Sequence, residues 1–311
     1  MDKQLSNSIL SAKQFSKNDL LEILETSERI ENILSSRREI PLLKDYILAT
    51  LFFEPSTRTR LSFEAAMHRL GGKIITSVGM QFSSLAKGET LFDTLKMVEA
   101  YADICAIRHP AEGASVLAAE NISIPVINAG DGAGEHPTQA LLDLYTIQKH
   151  KSLNKKKLKI AFIGDIRYGR TIHSLIHLLK HFDCELIFVS PSEISLPEKY
   201  KGELNSHNLS FFETENIAEA KAADVLYVTR IQEERFTDRK IYEKFKDSYL
   251  VDKDFVYNNC PEAIVMHPLP RLNEVSTNLD DTSNAVYFDQ AKNGLYTRMA
   301  LILRVLNVSL S

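Results

Sequence analysis

Seven short apolar runs, separated along the chain and interleaved with helical patterns, restrict the fold more than any other feature. They are 46–53 (YILATLFF), 103–108 (DICAIR), 124–129 (IPVINA), 158–164 (LKIAFIG), 185–190 (ELIFVS), 224–229 (DVLYVT) and 263–268 (AIVMHP). Runs this short and this continuously apolar suit strands covered on both faces. Helical patterns accompany them. Ser16 offers an N-cap with Asp19 three residues on, and Leu20, Ile23, Leu24, Ile30, Ile33 and Leu34 then recur at near-helical spacing. Phe63, Met67 and Leu70 predict a helix that stops at Gly71-Gly72, and Pro137 opens another over 137–150. Further helices are expected at 170–182 and near 291–307. Strands alternating with helices predict α/β architecture, with parallel sheets flanked by helices.

A chain of 311 residues, 44% hydrophobic, is long enough for two such domains. A polar, lysine-rich segment at 151–157 separates two patterned halves. The expected division is therefore 1–150 and 151–290, with the C-terminal helix (291–311) packing back on the first domain. No window approaches 18 consecutive apolar residues, and the N-terminus lacks a basic stretch followed by an apolar one. No membrane span and no export signal are expected. Cys105, Cys184 and Cys260 lie far apart without a C-x-x-C pair, which fits a reduced, cytoplasmic setting. The net charge of −4 argues against a nucleic-acid partner, and Lys155-Lys156-Lys157 reads as a solvated linker.

The chemistry concentrates where apolar runs end. EPSTRTR (54–60) falls where the first strand hands over to a helix. A helix start presents free N–H groups and the positive end of a dipole. Ser56, Thr57 and Thr59 add hydroxyls there, and Arg58 adds a planar fork, so the stretch reads as an anion site, most simply for phosphate. Arg108 ends the run 103–108, and His136 and Gln139 stand at a loop-to-helix junction. Ligands sit at the carboxyl ends of parallel strands. Arg108 and His136 can there donate together to a carbonyl oxygen, although His136 alone would read as a structural histidine. Residues 164–171 (GDIRYGRT) copy the outline of a nucleotide phosphate loop, but Arg170 replaces its lysine and the aspartate near 224–229 precedes the apolar run. Arg170 is instead a strand-end ligand for a carboxylate or phosphate. His173, His177 and His181 share a helix face without cysteine or carboxylate partners at metal spacing, and read as structural. Arg230 and Gln232 follow another strand, and Leu269 and Pro270 lie in a constrained loop after the last. Four strand-end arginines in a net-negative chain imply small, multiply anionic substrates.

Seven motifs in order and spacing carry a family resemblance over nearly the whole chain. They are STRTRLSFE (56–64), SSLAKGET (83–90), RHPAEG (108–113), NAGDGAGEHPTQALLDLYTI (128–147), GDIRYGRTIHSL (164–175), TRIQEERF (229–236) and HPLPR (267–271). With them the chain resembles the aspartate/ornithine carbamoyltransferase family, specifically its aspartate-using catalytic chains. The ornithine branch typically carries HCLP in place of HPLP and lacks the TR-x-Q motif. The resemblance implies transfer of the carbamoyl group of carbamoyl phosphate to L-aspartate, in pyrimidine biosynthesis, without cofactor or metal. It implies that Ser56, Thr57, Arg58 and Thr59 hold the phosphate and that Arg108 and His136 polarise the carbonyl. Gln139 and the backbone carbonyls of Leu269 and Pro270 would bind the carbamoyl NH₂. Arg170 and Arg230 would clamp the aspartate carboxylates, with Gln232 in support. Ser84 and Lys87 would arrive from a neighbouring subunit of a homotrimer with shared active sites. The resemblance also admits regulatory chains in a larger assembly. The alternatives are an ornithine carbamoyltransferase, a non-catalytic ligand-binding relative, or a nucleotide-binding enzyme built on residues 164–171.

Overall fold

The computed structural model describes residues 7–79, 88–153, 157–233 and 239–310. The chain divides into two compact units, Met1–Tyr145 with Lys292–Ser311, and Thr146–Ala291. Each is a parallel sheet with helices between its strands.

The first unit opens with α1 (Lys17–Ser36), whose N-cap is the expected Ser16. The Ser16 hydroxyl accepts from the Asp19 N–H, and the Asp19 carboxylate accepts from the Ser16 N–H at 2.9 Å. Four orphan N–H groups open any helix, and this reciprocal box satisfies two of them locally. There follow β1 (Ile47–Phe52), α2 (Thr57–Arg69), β2 (Lys73–Val78), α3 (Leu91–Tyr101), β3 (Ile104–His109), α4 (Ala114–Asn121), β4 (Val126–Asp131) and α5 (Pro137–Lys151). The strand order is β2-β1-β3-β4, all parallel. Leu51, Cys105, Ile107 and Val126 from three strands pack with Leu95, Val98 and Ala118 from α3 and α4 in one apolar cluster.

The second unit contains β5 (Leu158–Ile163), α6 (Arg170–Leu179), β6 (Cys184–Val189), α7 (Glu198–Ser206), β7 (Ser210–Thr214), β8 (Val225–Val228), α8 (Arg239–Phe245), α9 (Lys253–Asn259) and β9 (Ile264–Met266). Its order is β7-β6-β5-β8-β9, again parallel throughout. The last helix, α10 (Tyr287–Val305), begins earlier than the spacing suggests. Residues from Lys292 onward belong to the first unit, where Arg304 pairs with Asp19 and, at 2.7 Å, with Glu22 of α1. The C-terminal helix thus packs back on the first domain, as expected.

Two strands carry no apolar run, β2 (KIITSV) and β7 (SFFET). Both are edge strands, and most of their residues are exposed or half-exposed. The other two edge strands, β4 and β9, are buried throughout and do carry apolar runs, so exposure of the faces, not edge position, removes the signal. Interior β1 and β8 are likewise buried at nearly every position. Among the described residues no helix is long and apolar enough to cross a membrane, and no group of three His, Cys, Asp or Glu could hold a metal ion. His173 and His177 are buried. His173 Nε2 donates to the Ile166 carbonyl at 2.8 Å, and His177 Nδ1 lies 2.8 Å from Glu203 Oε1.

Candidate functional site

Strand order decides where a site can form. In the first sheet β1 and β3 are neighbours, but the chain leaves β1 toward β2 on one side and β3 toward β4 on the other. In the second, β5 leads outward to β6 and β8 to β9. Each pair is a topological switch point, where diverging connections leave a crevice at the carboxyl ends of the strands. The start of α2 after β1 carries Ser56, Thr57, Arg58 and Thr59, and Arg108 lies near the end of β3. Gly164 to Arg170 follow β5, and Arg230 follows β8.

At the first switch point, Phe52 pairs in register with Arg108, and the Phe53 N–H donates to the Arg108 carbonyl at 2.9 Å. Ser56 is the N-cap of α2, yet its side chain makes no capping hydrogen bond. Ser16 and Thr90 cap α1 and α3 with theirs. The α2 start therefore offers N–H groups and a hydroxyl that the helix itself does not consume. Thr59 is buried in the first turn, while Thr57 and Arg58 are exposed.

The Arg108 side chain is largely buried, with Nε 3.3 Å from Glu54 Oε2. That is an ion pair by distance, and Nε makes no geometrically satisfied hydrogen bond. Burial lowers the Arg108 pKa; the Glu54 charge opposes this, and the nearby Arg58 charge adds to it. Two guanidinium groups that repel each other form an environment that an anion would relieve.

His136 is brought to the same sheet by the loop after β4. A Cβ on Gly132 would lie 2.3 Å from the Pro110 carbonyl, so the loops after β3 and β4 press together there. Asp131 shapes that loop, accepting from Gly113 N–H at 3.0 Å and Glu135 N–H at 2.9 Å. His136 is buried, and its carbonyl accepts from Gln139 and Ala140 in the first turn of α5. Gln139 Nε2 donates to Asp143 Oδ1 at 2.9 Å.

At the second switch point, Gly164 has φ +116°, and a Cβ there would lie 2.1 Å from the Thr229 carbonyl. Only glycine lets the ends of β5 and β8 approach so closely. Asp165, fully buried, accepts from the Tyr168 N–H at 2.9 Å and, weakly, from the Gln232 N–H at 3.4 Å. It thereby ties the turn before Arg170 to the segment holding Arg230 and Gln232. Arg170 is the first residue of α6 and is half-buried, as is Arg230.

In the same unit, after β9, Leu269 adopts φ +57° before a cis bond to Pro270. His267 Nδ1 accepts from the Leu269 N–H at 2.8 Å, and Nε2 bonds Glu274 Oε1 at 2.8 Å. The loop that presents the Leu269 and Pro270 carbonyls is therefore held by a buried histidine–carboxylate pair.

The expected residues thus gather as Ser56, Thr57, Arg58, Thr59, Arg108, His136 and Gln139 in one unit, and Arg170, Arg230, Gln232, Leu269 and Pro270 in the other. Ser84 and Lys87 lie outside the described residues. The supports Glu54, Asp131, Asp143, Asp165, His267 and Glu274 were not picked out by the sequence reading. All but Glu274 stand inside or beside the quoted motifs, and adjacency to a ligand-type residue is the signal that could have found them.

Two domain families match the chain. The carbamoyl-P binding domain of aspartate/ornithine carbamoyltransferase matches residues 7–149, and the Asp/Orn binding domain matches residues 156–305. The sequence is 56% identical over 301 residues to the aspartate carbamoyltransferase catalytic subunit of Leptospira biflexa, covering 97% of each chain. The catalytic subunit of M. jannaschii aspartate transcarbamoylase superposes with a TM-score of 0.90 at 47% identity, covering 97% of this chain and 98% of that one. The aspartate transcarbamoylase of Trypanosoma cruzi, solved in complex with carbamoyl phosphate and aspartate, superposes with a TM-score of 0.89 at 38% identity, covering 95% of each.

Proposed function

This chain belongs to the aspartate/ornithine carbamoyltransferase family, and we infer that it transfers the carbamoyl group of carbamoyl phosphate to the amine of L-aspartate. The products are N-carbamoyl-L-aspartate and phosphate, and the setting is cytoplasmic pyrimidine biosynthesis. What supports this most is that each sheet carries a pair of arginines at its switch point, one pair beside a helix start suited to phosphate.

In this reading Ser56, Thr57, Arg58 and Thr59 hold the phosphate with the opening N–H groups of α2. Arg108 and His136 donate to the carbonyl oxygen and stabilise it as it becomes a tetrahedral oxyanion. Gln139 accepts from the carbamoyl NH₂, joined by the carbonyls of Leu269 and Pro270. Arg170 and Arg230 hold the two aspartate carboxylates, and Gln232 supports them. The amine attacks the carbonyl carbon, the C–N bond forms, and the C–O bond to phosphate breaks with its electron pair leaving on phosphate. The amine proton passes to the departing phosphate, so the protein's work is positioning and electrostatics. The 1–150 segment with the C-terminal helix serves as the carbamoyl phosphate domain and 151–290 as the aspartate domain. Ser84 and Lys87 complete the site of a neighbouring subunit in a homotrimer.

Aspartate is favoured over ornithine because a cationic side chain would be repelled by Arg230. A carbamoyl-transfer assay with the two acceptors side by side tests this. Product is expected with aspartate alone, and carbamoylation of ornithine at a comparable rate would overturn the assignment.

A further inference from the structure

We propose that Asp143 is a positioning residue that fixes which way the Gln139 amide faces, and thereby sets the preference for an NH₂ over a methyl group on the reacting carbonyl. The inference rests on the reading above that Gln139 meets the carbamoyl NH₂.

Gln139 and Asp143 stand one turn apart on α5, and Gln139 Nε2 donates to Asp143 Oδ1 at 2.9 Å. Asp143 is fully buried, and so is Arg298 of α10. Arg298 lies close enough for the Asp143 charge to act on it. Its Nη1 reaches the Gly294 carbonyl at 3.3 Å, its Nη2 reaches Thr138 Oγ1 at 3.4 Å, and its guanidinium lies over the Phe63 ring at 5.1 Å. A Cβ on Gly294 would lie 2.4 Å from Nη1, so the helix leaves room for this arginine. The charge of the nearby guanidinium favours the charged form of the Asp143 carboxylate.

An ionised carboxylate can only accept hydrogen bonds. Asp143 therefore requires the NH₂ end of the Gln139 amide, and the Gln139 carbonyl oxygen faces the other way. That oxygen is the acceptor an incoming NH₂ needs. With the amide reversed, an oxygen would confront the carboxylate and an NH₂ would confront the substrate NH₂. A glutamine without Asp143 can adopt either orientation and reads the substrate poorly.

The test uses a matched pair of stable probes, phosphonoacetamide and 2-oxopropylphosphonate, which differ by NH₂ against CH₃ beside the same carbonyl. Their affinities for the full-length protein are measured by calorimetry, together with that of inorganic phosphate. Wild type is expected to prefer the amide. Asp143→Asn, which lets either amide orientation form, should cut that preference about tenfold, the worth of one hydrogen bond, with phosphate affinity within about twofold of wild type. Gln139→Leu should cut it similarly. If Gln139→Leu reduces the preference and Asp143→Asn does not, the positioning role is wrong while the reading of Gln139 stands. If Gln139→Leu leaves the preference intact, that reading fails and the inference with it. A loss of phosphate affinity equal to the loss of amide affinity in Asp143→Asn marks general damage and also overturns the proposal. Should Asp143→Asn not fold because Arg298 is left uncompensated, Asp143→Asn with Arg298→Met restores neutrality, and the same ratio decides.

Discussion

Replacing His173 with phenylalanine should abolish a loss of stability that the wild-type protein suffers on acidification. His173 is buried, bonded to the Ile166 carbonyl at 2.8 Å and stacked on Tyr200 with ring centroids 4.1 Å apart. Burial lowers its pKa from 6.5 to about 4; the Ile166 bond opposes this, and the charges of Lys199 and His177 add to it. The folded pKa lies below the unfolded one, so as pH falls the unfolded chain takes up the proton first. Stability is intact above the unfolded value, drains away between 6.5 and about 4, and is then constant. At about 1.4 kcal/mol per pH unit, the full loss is about 3 kcal/mol, of which about 2 kcal/mol is lost by pH 5. Phenylalanine keeps the stack and cannot titrate, but it leaves the Ile166 carbonyl without this donor, at a cost of about 1–2 kcal/mol. Wild type should thus be the more stable protein at pH 8, and its advantage should vanish near pH 5. Urea denaturation followed by circular dichroism at the two pH values measures this directly. A stability difference that stays the same at both would refute the argument that His173 is held neutral in the fold. Ile166 also belongs to the turn that delivers Arg170, so the variant should show a raised KM for aspartate.

Arg58→Ala should chiefly impair use of carbamoyl phosphate and Arg230→Ala use of aspartate, each by about a hundredfold or about 3 kcal/mol, in saturation kinetics; the opposite assignment would mean that the two anion sites are exchanged. Gly164→Ala places a Cβ 2.1 Å from the Thr229 carbonyl at a φ of +116°. It should destabilise the protein by about 3 kcal/mol, and an unchanged melting temperature would count against the close approach of β5 and β8. If the chain forms the proposed homotrimer with shared sites, weakly active Lys87→Ala and Arg58→Ala chains, dissociated and reassociated together, should regain about a third of wild-type activity per mixed trimer, because one junction in a closed ring of three is then native. Hybrids no more active than their parents would remove Lys87 from the neighbouring site.

The seven apolar runs were legible because burial on both faces demands unbroken apolar residues, and all seven are strands, the buried edge strands β4 and β9 among them. Helix starts were legible where a cap is a local bond, as at Ser16 with Asp19. β2 and β7 escaped because none of their residues is buried and their faces are shared with solvent, which leaves KIITSV and SFFET without a signal. Ligand types were legible for a similar local reason. A run of hydroxyls and an arginine at a helix start has an evident use wherever it occurs, and the histidines at 173, 177 and 181 lacked partners for a metal.

What no local pattern contains is strand order. Arg58 and Arg108 are 50 positions apart, Arg170 and Arg230 are 60, and nothing in those spacings says that β1 adjoins β3 or that β5 adjoins β8. Pairing between distant strands is set by which apolar faces can be buried together, a property of the whole core. The supports follow the same division. Gln139 with Asp143 is one turn of helix and could be read from spacing, whereas Arg298 reaches neighbouring Thr138 only because α10 folds back on the first unit. By itself the sequence determined which side chains stand at strand ends and what anions they suit. Only the tertiary structure decided which of those ends are neighbours, because the crevice that makes a site is created by chain connections diverging from adjacent strands.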